Sequence, residues 1–340
     1  MKPIRLLNLG PIPPWQTQAV YHMLAERMTA EEPDAIIICR PSAPYLCLGY
    51  HQVFESIFDP AECKRRGLPV FRRKLGGGAT YLDQNQLFYQ CIFHHTRMPA
   101  MLKDIYTLAL AAPVKTLKRL GLNAELRETN EIEVDGKRVA GTGGGRIDEA
   151  CIVVGNLLFD FDFEAMTSVW RTPSPAFRQL AQTALRQRIT TLKELTPRTS
   201  SWQGAQPARP GRRAREAVTD LLIRSFAESF ARPLKPDTLT DEELTAAQTI
   251  AEKLSSTEYL SLHKKETNEP MHSLKISARA FIHAGESRID GYNVRGSFWV
   301  SQDVIQTAKL ESEPRREWQP VEERLKGIPF KEWQEQIYVP

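Results

Sequence analysis

Apolar positions recur along this chain with two periods, about 3.6 residues and two, and the switches between them outline its elements. Residues 4–9 read as an edge-starting strand. Prolines at 11, 13 and 14 then hand over to a helix over about 15–28, where Val20, Met23, Leu24 and Met28 recur at helical spacing. The continuous apolar runs at 35–39 and 46–48 suit buried strands. A short helix is expected over 60–66, then strands over 70–73 and 86–93. Residues 105–120 form an amphipathic stripe through Leu108, Ala112, Leu117 and Leu120, with Gly121 at the helix end.

The second half repeats this grammar. Residues 130–145 read as strand, Asp135-Gly136 hairpin turn, strand and glycine-rich loop, followed by an apolar strand over 151–161 and a helix from 163. Residues 197–215, rich in Pro, Ser, Gly and Arg, have no hydrophobic period and read as an exposed loop. Helical patterns resume over 217–230 and after Thr240-Asp241-Glu242-Glu243, which has the form of a helix start. From Leu274 the period becomes two, with a turn near Gly285 and a second strand over about 292–300; a last amphipathic piece holds Val321, Leu325 and Trp333. The pattern predicts an α/β (α+β) fold with a mixed sheet flanked by helices, in a catalytic domain over residues 1–255, plus a small separate domain over 260–340.

Composition narrows the classes. With 45 basic and 41 acidic residues the formal charge is +4, too small and too dispersed for nucleic acid as the main partner. Hydrophobic residues at 41% and charged residues at 25% describe an ordinary soluble globular protein. The five cysteines (39, 47, 63, 91 and 151) are odd in number, lack Cys-x-x-Cys spacing and read as buried free thiols. No run approaches a membrane span, and the proline-broken N-terminus lacks a signal-peptide core, so the expected location is the cytoplasm, away from membranes.

The chemistry concentrates in residues 71–91. Arg72, Arg73 and Lys74 run into Gly76, Gly77 and Gly78, then into Ala79-Thr80-Tyr81-Leu82-Asp83 and an apolar strand. Residues without side chains let backbone N–H groups approach an anion, and the arginines add fixed positive charge. Tyr81 either lies against an adenine or is plain core, and Asp83 either binds Mg²⁺ or orients a turn. His51 either reaches the ligand pocket or bonds locally. About sixty residues on, Asn130 offers a metal or phosphate ligand, and Lys137-Arg138 lead into Gly141-Thr142. The histidines show no metal-ligand spacing.

Arg-Arg-x-x-Gly-Gly-Gly-Ala-x-Tyr-x-Asp, with the second motif, resembles the lipoate–protein ligase family of the biotin/lipoate ligase superfamily. The resemblance covers about residues 3–195 well and 215–335 more loosely. It implies an α/β catalytic domain and a small α/β accessory domain. It also implies an ATP-dependent ligase that makes lipoyl-AMP, with ATP, Mg²⁺ and lipoate or octanoate as small molecules. A lipoyl-domain or glycine-cleavage-H-like carrier would be the protein partner.

Carried onto this chain, Arg72, Arg73, Gly76, Gly77, Gly78, Ala79, Thr80, Tyr81, Asp83, Asn130, Gly141 and Thr142 would bind ATP or lipoyl-AMP, Asn130 also holding Mg²⁺. Lys137 and Arg138 would be catalytic. Aligning Gly136, Val139 and Gly141 on the pattern puts Arg138 where the family has its lysine, and Leu82, Glu131 and 153–156 also depart from it. Tyr50-His51, Tyr-Leu-Asp and the second glycine triplet are similar to a subgroup associated with sulfur-oxidising prokaryotes. Two other readings stay open: an ATP-independent octanoyl or lipoyl transferase, which needs a cysteine nucleophile, and a non-catalytic lipoate-binding pseudo-ligase.

Overall fold

The computed structural model describes residues 2–195, 212–263, 272–277 and 279–337. The chain forms two compact units, one of Met1–Gln52, Gly67–Phe161 and Ile189–Leu262, the other of Val53–Arg66, Asp162–Arg188 and His263–Pro340. Among the described residues no helix is long and apolar enough to cross a membrane.

The first unit is built on strands β1 (Ile4–Ile12), β2 (Ala35–Pro41), β3 (Tyr45–Leu48), β4 (Val70–Arg72), β5 (Thr80–Leu82), β6 (Gln86–His94), β7 (Ala124–Arg127), β8 (Glu131–Val134), β9 (Lys137–Ile147), β10 (Ala150–Leu158) and β11 (Leu234–Pro236). Eight of them make one mixed sheet in the order β11-β1-β2-β6-β10-β9-β8-β7. β1 runs parallel to β11 and β2, and the pairs from β2 through β7 are antiparallel. β6 is buried at all nine positions, as a central strand covered on both faces must be.

One face of that sheet packs against the Leu102–Arg119 and Arg212–Phe230 helices through Ala109, Leu110, Leu117, Val218, Leu222 and Phe226. The other lies under the Pro14–Glu26 and Asp241–Ser255 helices through Val20, Tyr21, Met23, Ala247 and Leu254. Thr240 and Glu243 form a reciprocal capping box that starts the last of these helices.

The second unit holds an antiparallel sheet of β12 (Ser273–Ser277), β13 (Ala280–Ile289), β14 (Tyr292–Ser301) and β15 (Val304–Glu313), in that order. Phe298, Trp318, Val321, Leu325 and Trp333 fill its core. The mixed sheet flanked by helices and the separate C-terminal sheet agree with the pattern in the sequence.

Four expectations are corrected. β1 is not an edge, because β11 pairs beyond it. Gly285 lies within β13, where a Cβ would come 2.8 Å from Trp333, and the turn falls at Asp290-Gly291, both at positive φ. The glycines at 141–145 belong to an eleven-residue strand, in register with 152–156, and not to a loop. The exposed loop expected over 197–215 lies outside the described residues as far as 211, and Arg213, Ala214 and Arg215 are helical.

Candidate functional site

A three-stranded sheet, β4-β3-β5, carries the first glycine loop. Its neighbouring arginines have different partners. Arg72 is fully buried and donates to six backbone carbonyls: Gly49 (3.3 Å), Tyr50 (2.6 Å), Gln52 (2.6 Å), Tyr259 (2.7 Å), Leu260 (2.7 Å) and Leu262 (3.1 Å). It joins two chain segments far apart in sequence. Arg73 clasps the loop, its Nη2 donating to the carbonyls of Gly76 (2.8 Å) and Gly78 (2.9 Å), and its Nη1 reaching Cys47 Sγ at 3.3 Å.

That clasp orients the loop's amides. In a trans peptide the C=O and N–H point in opposite directions. With the carbonyls of Gly76 and Gly78 turned to Arg73, the N–H groups of Gly77 and Ala79 are turned away from the guanidinium. Gly77 sits at φ +98°, and its carbonyl crosses so close to Gly49 that a Cβ there would come 2.1 Å from it. Gly49→Ala is expected to displace the loop and lower stability by about 1–3 kcal/mol, read by urea unfolding. Unchanged unfolding would remove this account of the crossing.

Helix Pro14–Glu26 braces the loop from behind. His22 Nδ1 contacts the Gln18 carbonyl at 2.6 Å, and its Nε2 accepts the Lys74 amide at 3.0 Å. This pairing requires a neutral ring protonated at Nδ1. Burial pushes the His22 pKa down to about 3, with the Gln18 bond opposing and the Lys74 and Arg73 charges adding to the fall. A histidine lowered on folding binds protons more readily in the unfolded chain, so its contribution is complete above about pH 6.5 and stability falls as pH drops from there toward 3. Replacing His22 by Gln is expected to flatten the acid limb of a stability–pH curve below pH 6.5; equal slopes for both proteins would refute it.

The second motif lies on β9. Register puts Arg138 opposite Glu133 and, past an irregularity at Val139, Ala140 opposite Ile132. Arg138, Gly141, Gly143 and Gly145 consequently share one face of the sheet. Leu75, just before the first loop, covers Gly145, where a Cβ would meet its Cδ2 at 3.1 Å. On the opposite face the Tyr106 hydroxyl lies 2.8 Å from where a Gly144 Cβ would be. The Thr142 hydroxyl donates to the Asn130 carbonyl.

A buried relay joins the motifs. The Gly141 amide donates to Asn156 Oδ1 (2.7 Å), Asn156 Nδ2 to Gln86 Oε1 (2.5 Å), and Gln86 Nε2 to the Tyr81 carbonyl (3.2 Å).

The remaining candidates are placed as follows. Thr80 is partly buried and Tyr81 buried in β5. Asp83 accepts from the Asn85 amide at 2.8 Å and the Asn85 side chain at 3.2 Å, which orders the turn into β6. Lys137 is exposed beside the hairpin turn, and Arg138 stands 3.9 Å from Glu131. A cavity of about 640 Å³ opens at Asn8, Arg40, Phe159 and Arg215, and Gln86 borders it while the glycine loop does not.

Sequence reasoning missed Gln18, His22, Gln86, Tyr106 and Asn156. The available signal was polar residues at inward positions of otherwise apolar elements.

Residues 13–208 match the family model of the lipoyl protein ligase A/B catalytic domain. Octanoyltransferase LipM of Brevibacillus brevis is 28% identical over 239 residues, 63% of this chain and 80% of that protein. Lipoate-protein ligase A subunit 1 of Thermoplasma acidophilum is 24% identical over 221 residues, 62% of this chain and 78% of that protein. Among solved structures, the bi-partite lipoate protein ligase of Thermoplasma acidophilum aligns with a TM-score of 0.66 at 23% identity, covering 78% of this chain and 100% of that one. A lipoate-protein ligase A bound with ATP aligns with a TM-score of 0.61 at 22% identity, covering 77% and 100%. These last two likenesses establish the fold. The family match spans more than half of the chain and takes in both glycine motifs and the relay between them, so this protein belongs to the lipoyl protein ligase A/B catalytic-domain family.

Proposed function

We propose that this chain is an ATP-dependent lipoate–protein ligase, which activates lipoate as lipoyl-AMP and passes the acyl group to a lysine of a carrier protein. The supporting observation is the Arg73 clasp, which leaves two loop amides turned the other way as donors for an anion. In the first step a carboxylate oxygen of lipoate attacks the α-phosphorus and the bond to pyrophosphate breaks. In the second the carrier's lysine amine attacks the acyl carbon, loses a proton and expels AMP.

The amides of Gly77 and Ala79 would hold the α-phosphate, and Arg138, with Lys137 beside it, would balance charge at the acyl carbonyl. Arg72 would act as the brace of the loop. Thr80, Tyr81 and Asp83 would line and order its exit, and Gly141 and Thr142 would keep β9 in place. Asn130, with phosphate oxygens, would hold Mg²⁺, in keeping with how that ion binds through few protein ligands. The ATP-bound ligase supports the nucleotide, and the ligase described with its E2 lipoyl domain supports a lipoyl-domain partner. A small glycine-cleavage-H-like carrier, as in the sulfur-oxidiser subgroup, is the proposed variant of that partner.

ATP-independent octanoyl transfer is the second reading, favoured by the LipM relative and by Cys47, whose sulfur touches Arg73. It requires a thiolate. Burial raises the thiols of Cys39, Cys63, Cys91 and Cys151, that of Cys63 to about 11, which argues against those four.

The deciding experiment measures lipoate-dependent exchange of pyrophosphate into ATP and the mass gained by a lipoyl carrier. Exchange, undiminished in Cys47→Ser and Cys151→Ser, is expected. No exchange, with cysteine-dependent transfer from an octanoyl carrier protein, would replace the ligase by the transferase.

A further inference from the structure

We infer that His94, His95 and Glu149 form a binding site for one divalent transition-metal ion of the zinc class, beside the β9–β10 hairpin. Consecutive residues of a strand point to opposite faces. Here β6 ends at His94 and a 3₁₀ turn, His95–Arg97, begins at once, so the two imidazoles lie side by side with centroids 4.7 Å apart and planes 35° apart. Glu149 is brought to them by the hairpin, whose Asp148 has φ +48°. Backbone pairing fixes the distance, since Ala150 is in register with His94 and the His95 amide donates to the Glu149 carbonyl at 2.9 Å.

The donor atoms match a small tetrahedral ion. Glu149 Oε2 lies 3.6 Å from His94 Nε2 and 3.1 Å from His95 Nδ1, and all three donors fall within 4.8 Å of one another. Zinc–ligand bonds of about 2.0–2.1 Å in a tetrahedron place ligand atoms about 3.3 Å apart. Closing the three donors onto one ion therefore takes only side-chain adjustment. His94 is buried, and its Nδ1 contacts Thr96 Oγ1 at 2.8 Å and accepts from the Thr96 amide at 3.4 Å, outer contacts that fix the ring with Nε2 facing Glu149. Two imidazoles and one carboxylate suit zinc, nickel or cobalt better than magnesium or calcium, which prefer oxygen donors alone. A water completes the fourth position.

A cation already addresses this cluster. Arg146 Nη2 stands 3.4 Å from His95 Nδ1 and 3.5 Å from Glu149 Oε1. The same His95 nitrogen lies 3.3 Å from the Glu149 carbonyl and 3.1 Å from its carboxylate, both of which only accept, so an incoming ion takes the place of a proton between His95 and Glu149. The Arg146 side chain is 55% exposed and can swing into water as the ion enters.

Titration of the metal-free full-length protein, without a histidine tag, with Zn²⁺ by calorimetry and with Co²⁺ by visible absorption tests this. One equivalent is expected, with tetrahedral cobalt bands and no thiolate charge-transfer band. His95→Gln and Glu149→Gln should each weaken binding at least tenfold, and Arg146→Gln should tighten it by removing the competing charge. Glu149 is half exposed, so its variant keeps the native melt and reports on binding alone. Sub-stoichiometric binding, a charge-transfer band from cysteine, or affinity unchanged in either ligand variant would overturn the site. The readout does not involve adenylation, so it stands or falls separately from the ligase reading.

Discussion

Arg72→Met is expected to destabilise the first unit by about 3–5 kcal/mol and to lower its melting temperature by about 10 °C. The guanidinium is fully buried and donates to carbonyls from two segments, 49–52 and 259–262. Removing it leaves those acceptors without their donor in a place that water does not reach, and each such loss is a desolvation cost without compensation. Arg72→Lys should recover little, because a compact ammonium with three donors cannot span acceptors arranged for a planar fork. Thermal and urea unfolding of the two variants decide the matter. A melt within 2 °C of the native protein would mean that the carbonyls find other partners.

The second large effect is at Arg138. Under the ligase reading, Arg138→Ala should reduce lipoate-dependent pyrophosphate exchange by about 10² to 10³, the usual loss for one well-placed donor at a developing charge. Its contact with Glu131 is 3.9 Å long and partly exposed, so the loss of that contact should cost less than about 1 kcal/mol. Arg138→Lys, which restores the residue that the family resemblance expects, should stay within about tenfold of the native rate. An inactive native protein that gains activity on Arg138→Lys would instead favour a binding protein that has lost turnover.

Much of this was legible in the sequence because periodicity reports burial. The strand expected over 86–93 falls within the fully buried β6, and the stripe expected over 105–120 within the Leu102–Arg119 helix and its cap. The polar Ala124–Arg127 edge and the three-residue β11 were not legible, since pairing at an edge needs no apolar period. The glycines of β9 misled for a physical reason. Glycine signals a loop by its freedom, whereas at 144 a Cβ would come 2.8 Å from both the Ile152 carbonyl and the Tyr106 hydroxyl, and at 145 it would press on the Leu75 side chain. Charge misled in a similar way: Arg72 and Arg73 are adjacent and look equivalent, and only the fold gives one to distant carbonyls and the other to the loop. Gln86, Asn156 and His22 were missed because a hydrogen-bond relay has no spacing along the chain.

Arg72 also sets an order on biogenesis. Three of its acceptors, at Tyr259, Leu260 and Leu262, leave the ribosome nearly two hundred residues after it does. Until they emerge, a nascent chain carries the Arg72 cation without them, so the brace on the glycine loop is completed late, and a fragment ending at residue 255 would hold Arg72 but lack these three carbonyls.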